Sequence, residues 1–297
     1  MSAAAPAGTL VPGTARSPAL GDVIRFTAYL PPGYPGGRYA AGRYPSLYLL
    51  HGRGDTQDAW AQVASDLDAA IADGSVPPLA VVMPDAPWSD RGSWYVDSQY
   101  TGAGQVAGGP GRPVETALTR DLVAHVDATF RTVDDRRARA VGGYSMGGAG
   151  ALRYVLAHQD VFSAAIVLSP AVYVPAPPAG SSTRSYGAYG VGPELFDRAR
   201  YDALNYPAGL AGVDPALPVR LFVGVGVDEQ DLPGESARLY DAASRTPGVS
   251  ATSHVLSGGH DWGLWGPAFR AGLLDVAPSL FARCSPARPP PFGILAP

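Results

Sequence analysis

The sequence predicts an α/β fold: a mostly parallel, doubly wound sheet with helices on both faces. Two observations lead to this prediction. Short apolar runs, typical of buried strands, alternate along the 297-residue chain with longer segments that carry apolar side chains at helical spacing. The candidate polar residues also come directly after predicted strands, which places them together at one edge of such a sheet. The length and the absence of repeats predict one domain over residues 1–297.

Seven segments have the pattern of strands, because their apolar residues alternate or run without interruption. In chain order they are Val23–Leu30, Ser46–Leu50, Leu79–Met83, Ala138–Val141, Ala164–Leu168, Val219–Val227 and Ser250–Leu256.

Five segments have the pattern of helices. The first carries Trp60, Val63, Leu67 and Ile71 on one face and ends before Gly74. The predicted helices are Asp58–Ala72, Glu115–Phe130, Ala149–His158, Glu235–Arg245 and Trp262–Leu280.

Two further segments are too long to be simple connections. Trp88–Arg112 is aromatic and then glycine-rich, and Val172–Pro218 is an insertion rich in Pro, Ser, Gly and Tyr that we expect to cap the site. Residues 1–20 and 286–297 are expected to be loose termini, the second because it is rich in proline.

Composition excludes several classes of protein. The net charge is −4 and no basic run exceeds Arg136-Arg137, so nucleic-acid binding is not expected. No apolar run reaches the roughly 18 residues of a membrane span. With Cys284 as the single cysteine, no intrachain disulfide or cysteine-based metal site can form, and we expect neither a metal nor a cofactor.

The first 18 residues lack the charged and apolar regions of an intact signal peptide. Their Ala/Pro/Gly/Ser character fits a mature secreted chain as well as a cytosolic one. We expect secretion, with a cytoplasmic location as the alternative. The sequence does not determine the oligomeric state.

The motif with the clearest chemistry is Gly143-Tyr144-Ser145-Met146-Gly147, between a predicted strand and a predicted helix. A Gly-x-Ser-x-Gly at such a junction is the nucleophile elbow of the α/β-hydrolases. The glycines let strand, turn and helix approach closely around a strained serine. We therefore predict that Ser145 is a nucleophile.

A serine hydroxyl needs a base, and histidine is the usual one. Chain order in this fold is nucleophile, acid, histidine, which selects His260 in the loop after the last strand. The remaining histidines lie before the elbow or within predicted helices and strands: His51, His125, His158 and His254. We expect the His51 side chain to be structural.

The acid should follow the strand between Ser145 and His260, where it holds the imidazole tautomer. Asp228 is the first acid beyond that strand and is the predicted third member, with Glu229 as the alternative.

An oxyanion hole requires two backbone N–H donors. One should be that of Met146, directly after the nucleophile, and the other that of Arg53 in the loop after Leu50. The Arg53 guanidinium is left with two roles, an ion pair or a substrate contact.

Aromatic residues gather in the loops of the predicted site, where an apolar or aromatic acyl group would pack. We expect two or three of them to line the pocket and single out Trp94, Tyr144 and Trp262. The full set is Trp88, Trp94, Tyr95, Tyr144, Tyr173, Trp262 and Trp265.

Four motifs together resemble the esterase D / feruloyl esterase branch of the α/β-hydrolases, which includes the antigen 85 mycolyltransferases. They are Tyr29-Leu30-Pro31-Pro32-Gly33-Tyr34, Tyr44-Pro45-Ser46-Leu47-Tyr48-Leu49-Leu50-His51-Gly52, Gly143-Tyr144-Ser145-Met146-Gly147-Gly148 and Gly258-Gly259-His260-Asp261-Trp262. The resemblance covers about Asp22 to Phe281. It implies a Ser-Asp-His esterase with the Arg53 and Met146 amides as oxyanion donors. Arg53 stands where S-formylglutathione hydrolases carry a cysteine, which argues against a glutathione-ester substrate.

The expected activity is metal-free hydrolysis of an ester through an acyl-enzyme. The expected substrate is a short-chain or hydroxycinnamoyl (feruloyl) ester, as a small molecule or linked to plant polysaccharide. The alternatives are an acyltransferase of the mycolyl type and a non-catalytic binding protein on a hydrolase scaffold.

Overall fold

A central eight-stranded sheet organises the computed structural model, which describes residues 7–34, 42–102 and 109–281. The strands of this sheet are β1 (Thr9–Ser17), β2 (Asp22–Leu30), β3 (Ser46–Leu50), β4 (Ala80–Pro84), β6 (Arg139–Tyr144), β7 (Ala164–Leu168), β9 (Val219–Gly226) and β10 (Val249–Leu256), whereas β5 (Gln99–Tyr100) and β8 (Val191–Gly192) lie outside it. The order is β1-β2-β4-β3-β6-β7-β9-β10. The six strands β4, β3, β6, β7, β9 and β10 are parallel to one another, while β2 is antiparallel to β1 and to β4.

Helices cover both faces of the sheet, as predicted. They are α1 (Ala64–Ala72), α2 (Val114–Thr116), α3 (Leu122–Thr129), α4 (Met146–Ala157), α5 (Arg198–Leu204), α6 (Tyr206–Ala211), α7 (Leu232–Ser244) and α8 (Trp262–Phe281). A π-helical turn, Ala117–Asp121, joins α2 to α3, and four short 3₁₀ segments are Ala59–Val63, Ser89–Arg91, Arg136–Ala138 and Ser182–Arg184. None of the helices described is long and apolar enough to cross a membrane.

The central strands are apolar along their whole length because both faces are buried. In β3, Leu47 and Leu49 join the apolar cluster under α1 and α8, whereas Tyr48 and Leu50 join the cluster under α2 to α7. Burying such a side chain contributes about 1.5–3 kcal/mol to the stability of the folded state. The α/β-hydrolase fold class is confirmed by this arrangement.

The expectation of a loose N-terminus is wrong for Thr9–Ser17. This segment pairs residue by residue with β2, from Thr9 opposite Leu30 to Ser17 opposite Asp22. Pro12 and Gly13 conceal the strand pattern, and they are tolerated because β1 is an edge strand. The predicted loose tail at 286–297 and residues 103–108 of the glycine-rich loop lie outside the described residues.

The two long segments are tied to each other. β5 in the first and β8 in the second form a two-stranded parallel sheet. In the second segment, α6 packs against α4 and α7. The insertion is therefore anchored to the main body on one side of the sheet.

A buried ionic cluster lies beneath α4. Glu115 is 8 % exposed and accepts hydrogen bonds from Arg153 Nε at 3.0 Å and from His158 Nε2 at 2.7 Å. Burial alone would raise the pKa of the Glu115 carboxyl, but the hydrogen bonds and positive charge of His158 and Arg153 outweigh it, so the pKa is lowered.

We expect Glu115→Gln to lower the free energy of unfolding by about 1–3 kcal/mol at pH 7, since two partly buried donors lose a charged acceptor. Because the folded-state pKa is depressed, this stabilisation is present above the unfolded-state pKa of about 4.3 and is lost as the pH falls through the folded value. Urea unfolding of both proteins from pH 7 to pH 3 should show their difference shrinking. Asp202→Asn, which removes a surface pair with Arg198, is the control and should change stability by less than about 1 kcal/mol. An equal effect of the two substitutions would contradict the prediction.

Candidate active site

Ser145 occupies a strained turn between β6 and α4. Its φ is 56° and its ψ is −120°, a region that non-glycine residues rarely adopt. A Cβ at Gly143 would lie 2.3 Å from the carbonyl oxygen of Gly147, and one at Gly147 would lie 2.1 Å from that of Leu50. The elbow therefore requires glycine at both positions.

Backbone hydrogen bonds connect the turn at Ser145 to β7 and to its neighbours. The Ser145 N–H donates to Leu168 O at 3.0 Å, while the Ser145 carbonyl accepts from the N–H groups of Ala149 and Ala171 at 3.1 and 3.0 Å. These bonds attach the strained residue to β7, to α4 and to the loop after β7. They hold the hydroxyl at the carboxyl edge of the sheet.

His260 lies against Ser145. Its Nε2 is 2.9 Å from Ser145 Oγ, and its Nδ1 is 2.5 Å from Glu229 Oε1. A proton on Nδ1, donated to the carboxylate, leaves Nε2 to accept the serine proton; this tautomer is assigned from the partners. The imidazole is 42 % exposed, and its ring lies 5.0 Å from that of Trp265 at 84°.

Glu229 is almost completely buried, with its side chain 1 % exposed. Its Oε2 accepts hydrogen bonds from Ser169 Oγ at 2.9 Å and from the Gly226 N–H at 2.8 Å. Trp265 Nε1 in turn donates to Ser169 Oγ at 3.2 Å. Because donors surround both oxygens, the buried carboxylate can remain charged and orient the imidazole.

The prediction that Asp228 pairs with His260 is wrong, because the hydrogen bond from His260 Nδ1 goes to Glu229. The chain turns at the end of β9, where the Glu229 N–H approaches Gly226 O at 3.4 Å. The corner residues of such a turn, Val227 and Asp228, are exposed, Asp228 on the wall of the cavity that also contains Ser145, while the turn returns Glu229 to the sheet. The alternative acid is therefore the one that meets His260.

Sequence reasoning also missed Ser169, and it named Trp265 only as one of seven aromatic candidates for the pocket wall. Ser169 directly follows β7, so the rule that selected the other polar residues could have found it. Its position, with φ at 44°, places the hydroxyl between Glu229 and Trp265.

A cavity of about 660 Å³ opens over Ser145 and His260. Arg53 and Met146, the predicted oxyanion donors, both line it. Met146 is the first residue of α4, so its N–H has no partner within the helix. Gly52 lies against the Tyr144 ring, which a Cβ there would approach to 2.6 Å. Both residues thus belong to the wall of the cavity that opens over Ser145, and their role as oxyanion donors stays a prediction.

Of the residues predicted to bind substrate, Trp94 and Tyr144 line the cavity but Trp262 does not. The Trp262 ring instead packs edge-on against Trp60 and Tyr144, each with centroids 5.1 Å apart. Of the seven aromatic residues considered, four line the cavity rather than two or three: Trp94, Tyr144, Tyr173 and Trp265.

Tyr144 is fixed by stacking and by its hydroxyl. Its ring stacks on Trp265 at 4.1 Å, and its hydroxyl donates to Asp55 Oδ2 at 2.6 Å. Burial, with this hydrogen bond in addition, raises the pKa of the Tyr144 hydroxyl well above its usual range. It therefore stays protonated and forms a neutral wall.

His51 supports the loop that carries Arg53. Its ring is fully buried, with Nδ1 2.7 Å from Gly52 O and Nε2 accepting from the Ala86 N–H at 3.0 Å. These contacts give His51 a structural position. Within the ranges described, no group of three or more His, Cys, Asp or Glu side chains is arranged to hold a metal ion.

Comparison with known proteins shows the family of this chain. The model of the Esterase family, described as "Putative esterase", matches residues 17–276. The chain belongs to this esterase family. Its resemblance to feruloyl esterases is likewise confirmed.

Two curated relatives of this chain are longer proteins. An endo-1,4-beta-xylanase/feruloyl esterase of Xylanibacter ruminicola is 30 % identical over 165 residues, which are 54 % of this chain and 21 % of the relative. Esterase Rv1288 of Mycobacterium tuberculosis is 29 % identical over 250 residues, 75 % of this chain and 50 % of the relative. The chain thus spans at most half the length of these two relatives.

Among solved structures, that of a ferulic acid esterase is 26 % identical to this chain, with a TM-score of 0.73. The similarity covers 92 % of this chain and 99 % of that one. The similarity therefore extends through the sheet and both helical layers.

We expect Gly147→Ala to destabilise the protein by at least about 1–3 kcal/mol, because its Cβ would press on the backbone of β3. Thermal unfolding followed by circular dichroism measures this. Gly234→Ala, in α7 with no atom within 4 Å of the added Cβ, is the matched control and should leave stability unchanged or raise it. A Gly147→Ala protein as stable as the control would refute the conclusion that the turn requires glycine at position 147.

We expect Glu229→Gln to lower kcat by about 10²–10⁴, because an amide cannot hold the imidazole tautomer or stabilise its cation in the same way. Asp228→Asn, at the adjacent exposed position, should retain kcat within about two-fold. Steady-state kinetics on p-nitrophenyl butyrate separate the two variants. The reverse result would restore Asp228 as the acid.

Proposed function

We propose that this esterase-family chain is a carboxylic-ester hydrolase that acts through a serine acyl-enzyme. The observation that carries the proposal is the continuous series of contacts from Ser145 Oγ through His260 to buried Glu229, at 2.9 and 2.5 Å. Such a series activates a hydroxyl that is otherwise a weak nucleophile.

In the proposed mechanism, His260 Nε2 takes the Ser145 proton as Oγ attacks the ester carbonyl. Glu229 stabilises the imidazolium that forms. The N–H groups of Arg53 and Met146 hold the oxyanion, each contributing about 3 kcal/mol to stabilisation of the transition state. His260 then protonates the leaving alcohol, and water repeats the sequence to release the acid.

The substrate we propose is a short-chain or hydroxycinnamoyl ester. The cavity is large enough for a small aromatic acid, and four aromatic side chains line it. The printed names of the xylanase/feruloyl esterase relative and of the ferulic acid esterase structure support an aromatic acyl group. A polysaccharide-linked ester would require secretion, which we propose with it.

The complete set of Ser145, Glu229 and His260 argues against a non-catalytic binding protein. A mycolyl-type acyltransferase would use the same three residues but transfer the acyl group to an alcohol. The two activities differ in the acceptor, so the decisive observation is which product forms.

We expect Ser145-dependent turnover of methyl ferulate, with kcat/KM equal to or above that for p-nitrophenyl butyrate. Ser145→Ala should lower both by at least about 10³, because it removes the nucleophile. Initial rates with release of free ferulic acid give the measurement. Turnover of the butyrate alone would support a short-chain esterase, and a new ester formed with added glycerol or trehalose would support a transferase. Retention of most turnover by Ser145→Ala would refute the acyl-enzyme.

A further inference from the structure

Tyr186, in the insertion between β7 and β9, contacts the side chain of Arg53. Arg53 Nη1 donates a hydrogen bond to the Tyr186 hydroxyl at 3.0 Å. The guanidinium carbon also lies 5.3 Å from the centre of the Tyr186 ring, within the range of a cation–π interaction. Among the residues described, Arg53 has no carboxylate within ion-pair distance, so the ion pair is not formed there, and the substrate contact stays a prediction.

The Tyr186 ring is itself held in place. Its backbone carbonyl accepts a hydrogen bond from the buried Ser89 hydroxyl at 2.7 Å. A Cβ on Gly92 would lie 2.5 Å from the ring, so the ring fits closely against that glycine. On another side it lies 6.1 Å from the ring of Trp94, which lines the cavity. Tyr186 therefore presents a fixed surface to Arg53.

Tyr186 adds a restraint to the backbone around Arg53. Arg53 stands between Gly52 and Gly54, and glycine leaves the chain unusually free to rotate. The carbonyl of Gly52 accepts hydrogen bonds from His51 Nδ1 at 2.7 Å and from the Asp55 N–H at 3.2 Å, the second of which closes a turn around Arg53. The Gly54 N–H donates to Arg91 O at a long 3.4 Å. Arg53 and Gly54 are both exposed to solvent. The contact with Tyr186 restrains residue 53 through its own side chain.

We propose that Tyr186 is a positioning residue: it holds Arg53 so that the Arg53 backbone N–H points at the oxyanion. This inference rests on the proposed function. An oxyanion hole acts through donors that are aligned before the reaction. Loosening the loop that carries a donor therefore weakens stabilisation of the transition state more than it weakens binding of the substrate. The insertion thus takes part in catalysis without touching the reacting atoms.

The test is a double-mutant cycle with Tyr186→Ala, Arg53→Ala and the double variant, measured on methyl ferulate. Arg53→Ala keeps the amide and removes the side chain. Each single variant should lower kcat about 10-fold with KM within two-fold, less than the 10²–10³ for deleting a donor outright. The double variant should lose no more than either single one, because all three break the same contact. Tyr186→Phe should lie between wild type and Tyr186→Ala.

Phenylboronic acid provides a readout that a merely structural role would not move. Ser145 Oγ adds to boron as its proton passes to His260 Nε2, and the tetrahedral boronate anion that forms resembles the intermediate. In Tyr186→Ala, the Ki of phenylboronic acid should rise by the same factor as kcat falls. The unfolding temperature of the variant should stay within about 2 °C of that of the wild type. Tyr240→Phe, on the exposed face of α7, is the matched control and should change neither quantity.

Unchanged kcat in Tyr186→Ala, multiplicative losses in the cycle, or losses confined to KM would each overturn the assignment. Failure of the proposed function is distinguishable from these outcomes. It would appear as turnover retained by Ser145→Ala, whereas failure of this inference alone leaves Ser145 essential and Tyr186 dispensable.

Discussion

The close approach of β3, β6 and α4 around Ser145 is the constraint on which the rest of the site depends. The serine adopts a positive φ, and the carbonyl oxygens of Leu50 and Gly147 occupy the space where side chains at Gly147 and Gly143 would begin. This approach brings the hydroxyl out at the carboxyl edge of the parallel strands. All the other polar groups of the site follow neighbouring strands and therefore converge on the same edge.

Burial of the Glu229 carboxylate links three further elements to that edge. Leaving a charge in the interior is unfavourable unless donors surround it. Here the donors come from the end of β9, from Ser169 after β7 and from His260 after β10. Trp265 of α8 completes the arrangement by donating to Ser169. The orientation of the imidazole is thus a property of the whole carboxyl edge rather than of a single loop.

The insertion joins this arrangement from the other side of the cavity. Its first part supplies Tyr173 and residues 180–183 to the wall, and Tyr186 reaches the loop that carries Arg53. The pairing of β5 with β8 and the packing of α6 on α4 and α7 anchor the segment. A region without a recognisable motif therefore has a defined place beside the reacting groups.

The sequence by itself determined the fold class, the succession of the central strands and helices along the chain, the strained serine and the position of His260 at a strand end. It could do so because apolar periodicity and glycine requirements are local. Only the tertiary structure decided between Asp228 and Glu229, since one turn of backbone exposes the first and buries the second. It also decided that Thr9–Ser17 pairs as an edge strand and that Trp265, not Trp262, lines the cavity. These outcomes depend on contacts between residues far apart in the chain, which no local pattern encodes.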